Sequence, residues 1–138
     1  MQPEHPYVYH LVQAAQWDRA SAENITYFPP TYDQDGFTHG TSNPDKLLSV
    51  ANHFYLNVTG DWYCLKMTVE SLKMTGVMTV YEGTAPVGSI PADFDGAHDE
   101  LFPHIYGGIT AAAVIGCYPV KRLPEGTFVD ITGITNAS

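Results

Sequence analysis

The chain has 138 residues and carries six Lys and Arg against 15 Asp and Glu, a net charge of -9. That charge, with no basic run, excludes gripping long nucleic acid through its phosphates or sitting on an anionic membrane surface. With 44% hydrophobic and 12% aromatic residues, the composition also excludes a disordered acidic tail, and it suffices for one packed domain over residues 1–138 held without disulfide or metal.

Tyr7 to Val12 alternates aromatic and aliphatic residues and predicts a first strand. Gln13 to Ala22, with Ala14, Ala15 and Trp17, predicts a short helix. Phe28 to Asp35 reads as a loop, because Pro29 and Pro30 and the residues before them leave helical space. Gly36 to His39 is a brief strand. The clearest helix signal follows: Asn43 as cap, Pro44 at the first helical position, Asp45 in the positive first turn. Leu47, Leu48, Ala51, Phe54 and Tyr55 then share one face, and the helix is expected to end near Asn57.

Trp62 to Val69 is the strongest strand signal, rich in aromatic and branched residues. Ser71 to Thr75 reads either as a turn of helix or as a hairpin connection, and Gly76 to Tyr81 as another strand. Glu82 to Glu100, with three glycines and two prolines, predicts a long irregular loop of the kind that is functional or mobile. Pro103 to Tyr106 and Ala111 to Arg122 read as strands, the second open to a helical start at Ala111 to Ala113. Phe128 to Ile131 adds a last strand, and residues beyond Gly133 read as a frayed end. The order predicts an α+β domain with antiparallel sheet, its core over 7–123 and a tail over 124–138.

Cys64 and Cys117 both sit in apolar, strand-like runs and read as buried reduced thiols, with a single bridge as the alternative. No stretch approaches ~18 apolar residues, and the first ten lack a basic segment followed by an apolar one. The expectation is a cytoplasmic chain without signal peptide or membrane span.

Six histidines carry most of the chemistry the sequence offers. His39-Gly40-Thr41 leads into the Pro44 helix, so unpaired amides there predict a cradle for phosphate or carboxylate. His10, His39, His53 and His104 show no ligand spacing of the HExxH or CxxC kind, so no metal site is expected. Glu82 closes a strand and borders the long loop, where an acid can orient a ribose hydroxyl, act as a base, or simply be solvated. Asp93, Asp95, Asp99 and Glu100 lack the spacing of a calcium loop and read as a solvated lid.

Taken in order, these motifs resemble the family known as domain of unknown function 952. The family's Tyr-His strand is matched by Tyr9-His10-Leu11-Val12, and its helical tryptophan by Trp17. Its Gly-Phe-Ile-His motif is matched by Gly36-Phe37-Thr38-His39 with Gly40-Thr41 following. Val50-Ala51-Asn52 with His53-Phe54-Tyr55, Glu82, and Phe102-Pro103-His104-Ile105-Tyr106-Gly107 complete the set, over about Tyr7 to Leu123.

The family in turn resembles the ADP-ribosyltransferase superfold, nearest its RNA 2′-phosphotransferase branch. The resemblance implies two small, mostly antiparallel sheets with two short helices enclosing a cleft, and NAD as a possible ligand. It implies His10, His39 and Glu82 as catalytic residues, with Gly40, Thr41, His104 and Tyr106 binding the ligand. The departures are specific. Active transferases carry Gly-Thr or Arg-Gly at the first motif, where this chain has Leu11-Val12, and the His-Gly-Thr triplet appears at the second. The RNA branch holds phosphate with arginines, but only Arg19 and Arg122 are present, outside every motif. Three readings follow: an ADP-ribosyltransferase-like domain binding NAD or a related small nucleotide, a non-catalytic small-metabolite domain, and an interaction protein in which His10 and His104 lie far apart.

Overall fold

The computed structural model describes residues 5–92, 94, 97–98 and 100–135. Strands β1 (Val8–Gln13), β3 (Trp62–Met67), β6 (Gly116–Arg122) and β7 (Phe128–Ile131) form a four-stranded sheet in the order β1-β3-β6-β7. Strands β2 (Thr38–His39), β4 (Met78–Glu82) and β5 (Phe102–Tyr106) form a three-stranded sheet in the order β2-β5-β4. All pairings are antiparallel. The α+β class and the antiparallel sheets agree with the sequence reading.

The helices differ from that reading in number and extent. Among the described residues there are four: α1 (Ala14–Glu23), α2 (Tyr32–Asp35), α3 (Leu47–Phe54) and α4 (Val69–Lys73). Helix α1 buries Ala14, Trp17 and Ala20 on one stripe and stops where Asn24 turns left-handed at φ 55°. Helix α2 falls inside the segment expected to be loop: Pro29 and Pro30 bar a helix only up to themselves, and Gly36 at φ 81° closes the turn. The Pro44 segment is a 3₁₀ turn over Pro44–Lys46, capped by the Asn43 side chain on the Asp45 amide, and α3 proper begins at Leu47.

Strand β3 ends two residues early because Thr68 leaves the sheet to cap α4. Its hydroxyl accepts the Ser71 amide at 2.8 Å while Ser71 Oγ accepts the Thr68 amide at 2.9 Å, a reciprocal capping box. The Ala111–Ala113 stretch is a 3₁₀ turn ahead of β6. The predicted frayed end is tied in as far as Thr135: Ile134 packs on the core, and the Ile131 amide donates to Thr135 Oγ1 at 2.7 Å. Cys117 also departs from expectation. Strand β6 alternates half-buried and exposed positions, and Cys117 falls on an exposed one while Cys64 is buried; both thiols are free. Asp93, Asp95 and Asp99 of the predicted acidic lid lie outside the described residues. Among the described residues no helix is long and apolar enough to cross a membrane.

Two cores flank the four-stranded sheet. On one face Val8, Val12, Leu65 and Met67 meet Trp17 of α1, Leu72 of α4, Ile105 of β5 and Ile109 just beyond it. On the other face Tyr9, Leu11 and Cys64 meet Leu47 and Ala51 of α3. A third cluster seats Val87, Phe94 and Ala97 of the long loop against Phe54 and Phe102.

The sheets are stitched together where β2 ends. The Gly40 amide donates to the Pro103 carbonyl on β5 at 2.9 Å, and one residue later Thr41 pairs with Tyr9 on β1 in both directions, at 2.8 and 2.9 Å. A Cβ on Gly40 would lie 2.9 Å from Pro103 O and 3.2 Å from Val8 Cγ1, so the seam itself requires glycine there. Beyond β5, a Cβ on Gly108 would lie 2.6 Å from the Tyr27 carbonyl oxygen; this close approach, with the Tyr27–Ile109 pairing, fixes Tyr27 beneath the first core.

Candidate functional site

The seam between the sheets carries the predicted histidines. Period-2 alternation puts His10 on the same face of β1 as Val8 and Val12, in the interior, with 3% of its surface exposed. Its Nδ1 lies 2.6 Å from the His39 carbonyl oxygen. A carbonyl only accepts, so Nδ1 carries the proton and Nε2 is left as an acceptor. That Nε2 is buried and has no hydrogen-bond partner among the described residues. Burial pushes the imidazole down to about 4, against the weaker pull of the His39 carbonyl, so the ring is neutral at pH 7.

His39 and His104 sit opposite each other across β2 and β5, ring centroids 6.2 Å apart. Each is oriented by a carboxylate. His39 Nε2 donates to Asp35 at 2.9 Å, and His104 Nδ1 donates to Glu82 at 2.8 Å. Phe37 stacks on His104 at 4.0 Å and 16°. Burial lowers both histidines, and their carboxylate partners only partly offset it. Glu82 also accepts the Tyr106 hydroxyl; that bond, and then the one from His104, lowers the carboxyl, while the bond to Glu82 raises the tyrosine.

Two adjoining cavities open off this seam. The smaller, of ≈ 30 Å³, is lined by His39, Gly40, Thr41 and His104 together with Tyr9, Phe54 and Phe102; it has room for about two waters. The larger, of ≈ 460 Å³, is lined by His10, Tyr27, Pro29, Pro30, Gln34, Tyr55, Trp62 and the Val87–Ile90 turn. Leu11, Phe54, Tyr55 and Val87 border both. The larger falls in the ~300–1,000 Å³ range of small-molecule sites and is mostly apolar with a few polar groups, as such sites are.

The predicted residues therefore divide. His39, Gly40, Thr41 and His104 share the small cavity, His10 faces the large one, and Glu82 and Tyr106 line neither. His10 and His104 are nonetheless one residue removed, since His39 touches both. Three amides of the expected anion cradle are already bonded within the fold. The Gly40 amide is held by Pro103, the Thr41 amide by Tyr9, and the Asp45 amide by Asn43. Among the described residues no group of three or more His, Cys, Asp or Glu is placed to hold a metal.

Sequence reasoning missed Asp35, Tyr27 and Tyr55. Asp35 lies four residues before His39, but only α2 brings its carboxylate back onto the ring. The two tyrosine hydroxyls are raised by burial first and then by their neighbourhood, Tyr27 by Tyr55 and Tyr55 by Asp35. Nothing in the local sequence marks Tyr27, and Tyr55 is marked there only as part of a helix face and of the family's aromatic pair.

The fold is similar to that of protein CC0527 from Caulobacter crescentus. Its crystal structure is 18% identical, covers 89% of this chain and 93% of that one, and superposes with a TM-score of 0.65. The solution structure of the same protein covers 88% and 90% with a TM-score of 0.58. At this identity the likeness is one of fold. No curated protein matches the sequence. A family model described as protein of unknown function (DUF952) matches residues 11–117, more than half of the chain, and the chain belongs to that family.

Proposed function

We propose that the His10 cavity binds a small nucleotide of the NAD type, in the manner its ADP-ribosyltransferase-like motifs imply. The observation that supports this is the state of His10. A buried, neutral imidazole has its proton committed to the His39 carbonyl, and its Nε2 is an unpartnered acceptor on a mostly apolar cavity. An unmet buried acceptor is costly, and a ribose hydroxyl donating to it removes the cost. Among the described residues the lining holds no Lys or Arg, so the fit is to a nucleoside half, with the phosphates outside.

Catalytic roles for His39 and Glu82 have less support. The Glu82 carboxylate is engaged by His104 and Tyr106 and borders neither cavity. That engagement favours the second reading, a pocket that binds a small metabolite without turnover.

Calorimetry with NAD on wild type and His10→Phe tests the first reading. Binding in wild type and its loss in the variant is the expected result. No heat at millimolar NAD would sink it. Nicotinamide release, compared in Glu82→Gln and His39→Ala, separates the two: binding without release selects the non-catalytic pocket.

A further inference from the structure

Asp35 has a 5% exposed side chain and sits at the last position of α2. Its Oδ2 accepts His39 Nε2–H at 2.9 Å, and its two oxygens accept the Gly88 amide at 3.2 and 3.1 Å. Both donors are neutral, because burial keeps His39 uncharged at pH 7. A carboxylate buried against neutral donors, at the negative end of a helical turn, is a poor device for stability alone.

Its position explains it better. Gly88 belongs to a tight turn in which Val87 and Ile90 exchange hydrogen bonds at 3.1 and 3.0 Å, and this turn forms one wall of the His10 cavity. Thr31 and Gln34, flanking and within α2, line the same cavity. Gly88 sits at φ 59°, and a Cβ there would lie 3.0 Å from Thr31 Cγ2, so the two segments touch where Asp35 binds. Beyond His39 the chain of bonds continues through its carbonyl to His10 Nδ1.

We infer that Asp35 is the positioning residue of this cavity: one carboxylate latches the Val87–Ile90 wall to α2 and, through His39, to the seam that aims the His10 acceptor. The inference rests on the cavity being a ligand site and not on the ligand being a nucleotide. A ligand that fills the cavity is then enclosed by a wall anchored at Val87 by the third cluster and closed at Gly88 by Asp35.

The test uses the whole chain, NMR amide exchange, and N-phenyl-1-naphthylamine as a neutral apolar probe. Asp35→Asn keeps the shape but presents an N–H to one of the two donors. Expected are at least tenfold faster exchange of the Gly88 amide, unchanged exchange in β3, and at least fivefold faster release of the probe. Asp35→Glu should restore part of the protection. Gly88 exchange within twofold of wild type overturns the inference, as does equal acceleration in β3, which would mark a general structural role. In case Asp35→Asn does not fold, wild type supplies a second measure: the Gly88 amide proton must shift together with the Asp35 carboxyl carbon in a pH titration. A Gly88 proton that ignores that carboxyl overturns the latch. Because the probe is not NAD, failure of NAD to bind and failure of the latch are separate results.

Discussion

His10 Nδ1 and the His39 carbonyl oxygen, 2.6 Å apart, join the two sheets through an imidazole that is neutral when folded. The unfolded ring titrates near 6.5 and the folded one at about 4. Between those values the unfolded chain binds the extra proton, so stability rises with pH. The contribution is full above pH 6.5 and is lost as pH falls toward 4; it amounts to about 3 kcal/mol. His39 and His104, also lowered, act in the same direction. Urea unfolding of wild type from pH 4.5 to 7.5 should show the slope, and His10→Phe should flatten it. An equal slope in the variant would place its source elsewhere.

Gly40 was expected to let a ligand reach the backbone, and the structure gives it another task. With Pro103 O at 2.9 Å and Val8 Cγ1 at 3.2 Å from any Cβ, Gly40→Ala must spread the sheets at their seam. A loss of about 1–3 kcal/mol is expected, as for overpacking, read as a lower urea midpoint with unchanged m-value. A variant as stable as wild type would show that the seam yields freely.

The family motif Val-Ala-Asn is explained by Asn52. Its side chain acts as a spare strand residue: Nδ2 donates to the Phe128 carbonyl at 2.9 Å and Oδ1 accepts the Phe128 amide at 2.8 Å. This ties α3 to β7. Asn52→Leu would leave both backbone groups unpaired and cost about 2–3 kcal/mol. Amide exchange should localise the damage, with Phe128 losing protection and β1 keeping it. Uniform loss of protection would contradict a local tie.

How much of this was legible follows from what each signal encodes. Asn43 and Pro44 mark a helix start by their own backbone chemistry, and alternation in Tyr7 to Val12 marks a strand, so both could be read locally. Thr68 could not: a threonine after an apolar strand looks like more strand until Ser71 is seen to answer it. Cys117 sits among apolar neighbours in sequence, but burial in β6 depends on which face is covered, and that is a tertiary fact. The histidines are marked by residue type and by the short motifs around them. That His10 faces a different cavity from His104 depends on the register at the seam, and Asp35 enters only because α2 folds it back.

Arg122, outside every motif, is spent on the fold itself. Its guanidinium donates to the carbonyls of Leu56, Val58, Gly60 and Gly126 and lies 4.1 Å from the centre of the Phe128 ring. The planar fork reaches all of these at once, which an ammonium does not. Arg122→Lys should therefore lower Tm almost as far as Arg122→Met, by several degrees, consistent with a loss of about 2 kcal/mol. Full rescue by lysine would mean that charge, not the fork, matters.

The two cysteines give a direct check on the four-stranded sheet. Cys64 is fully buried, and burial raises its thiol far above the usual range, while Cys117 is exposed on β6 and raised less, mainly by partial burial. Attack on a disulfide reagent needs an accessible thiolate. An aromatic disulfide dye at pH 8 should therefore label one thiol per native chain and two in denaturant. Cys117→Ser should abolish the native reaction and leave the second thiol to appear only on unfolding, at the rate of unfolding. Because Cys64 pairs in register with Tyr118 and Cys117 with Leu65, a one-residue slip between β3 and β6 would carry Cys117 to the other face. Native labelling of both thiols, or of neither, would contradict the register shown here.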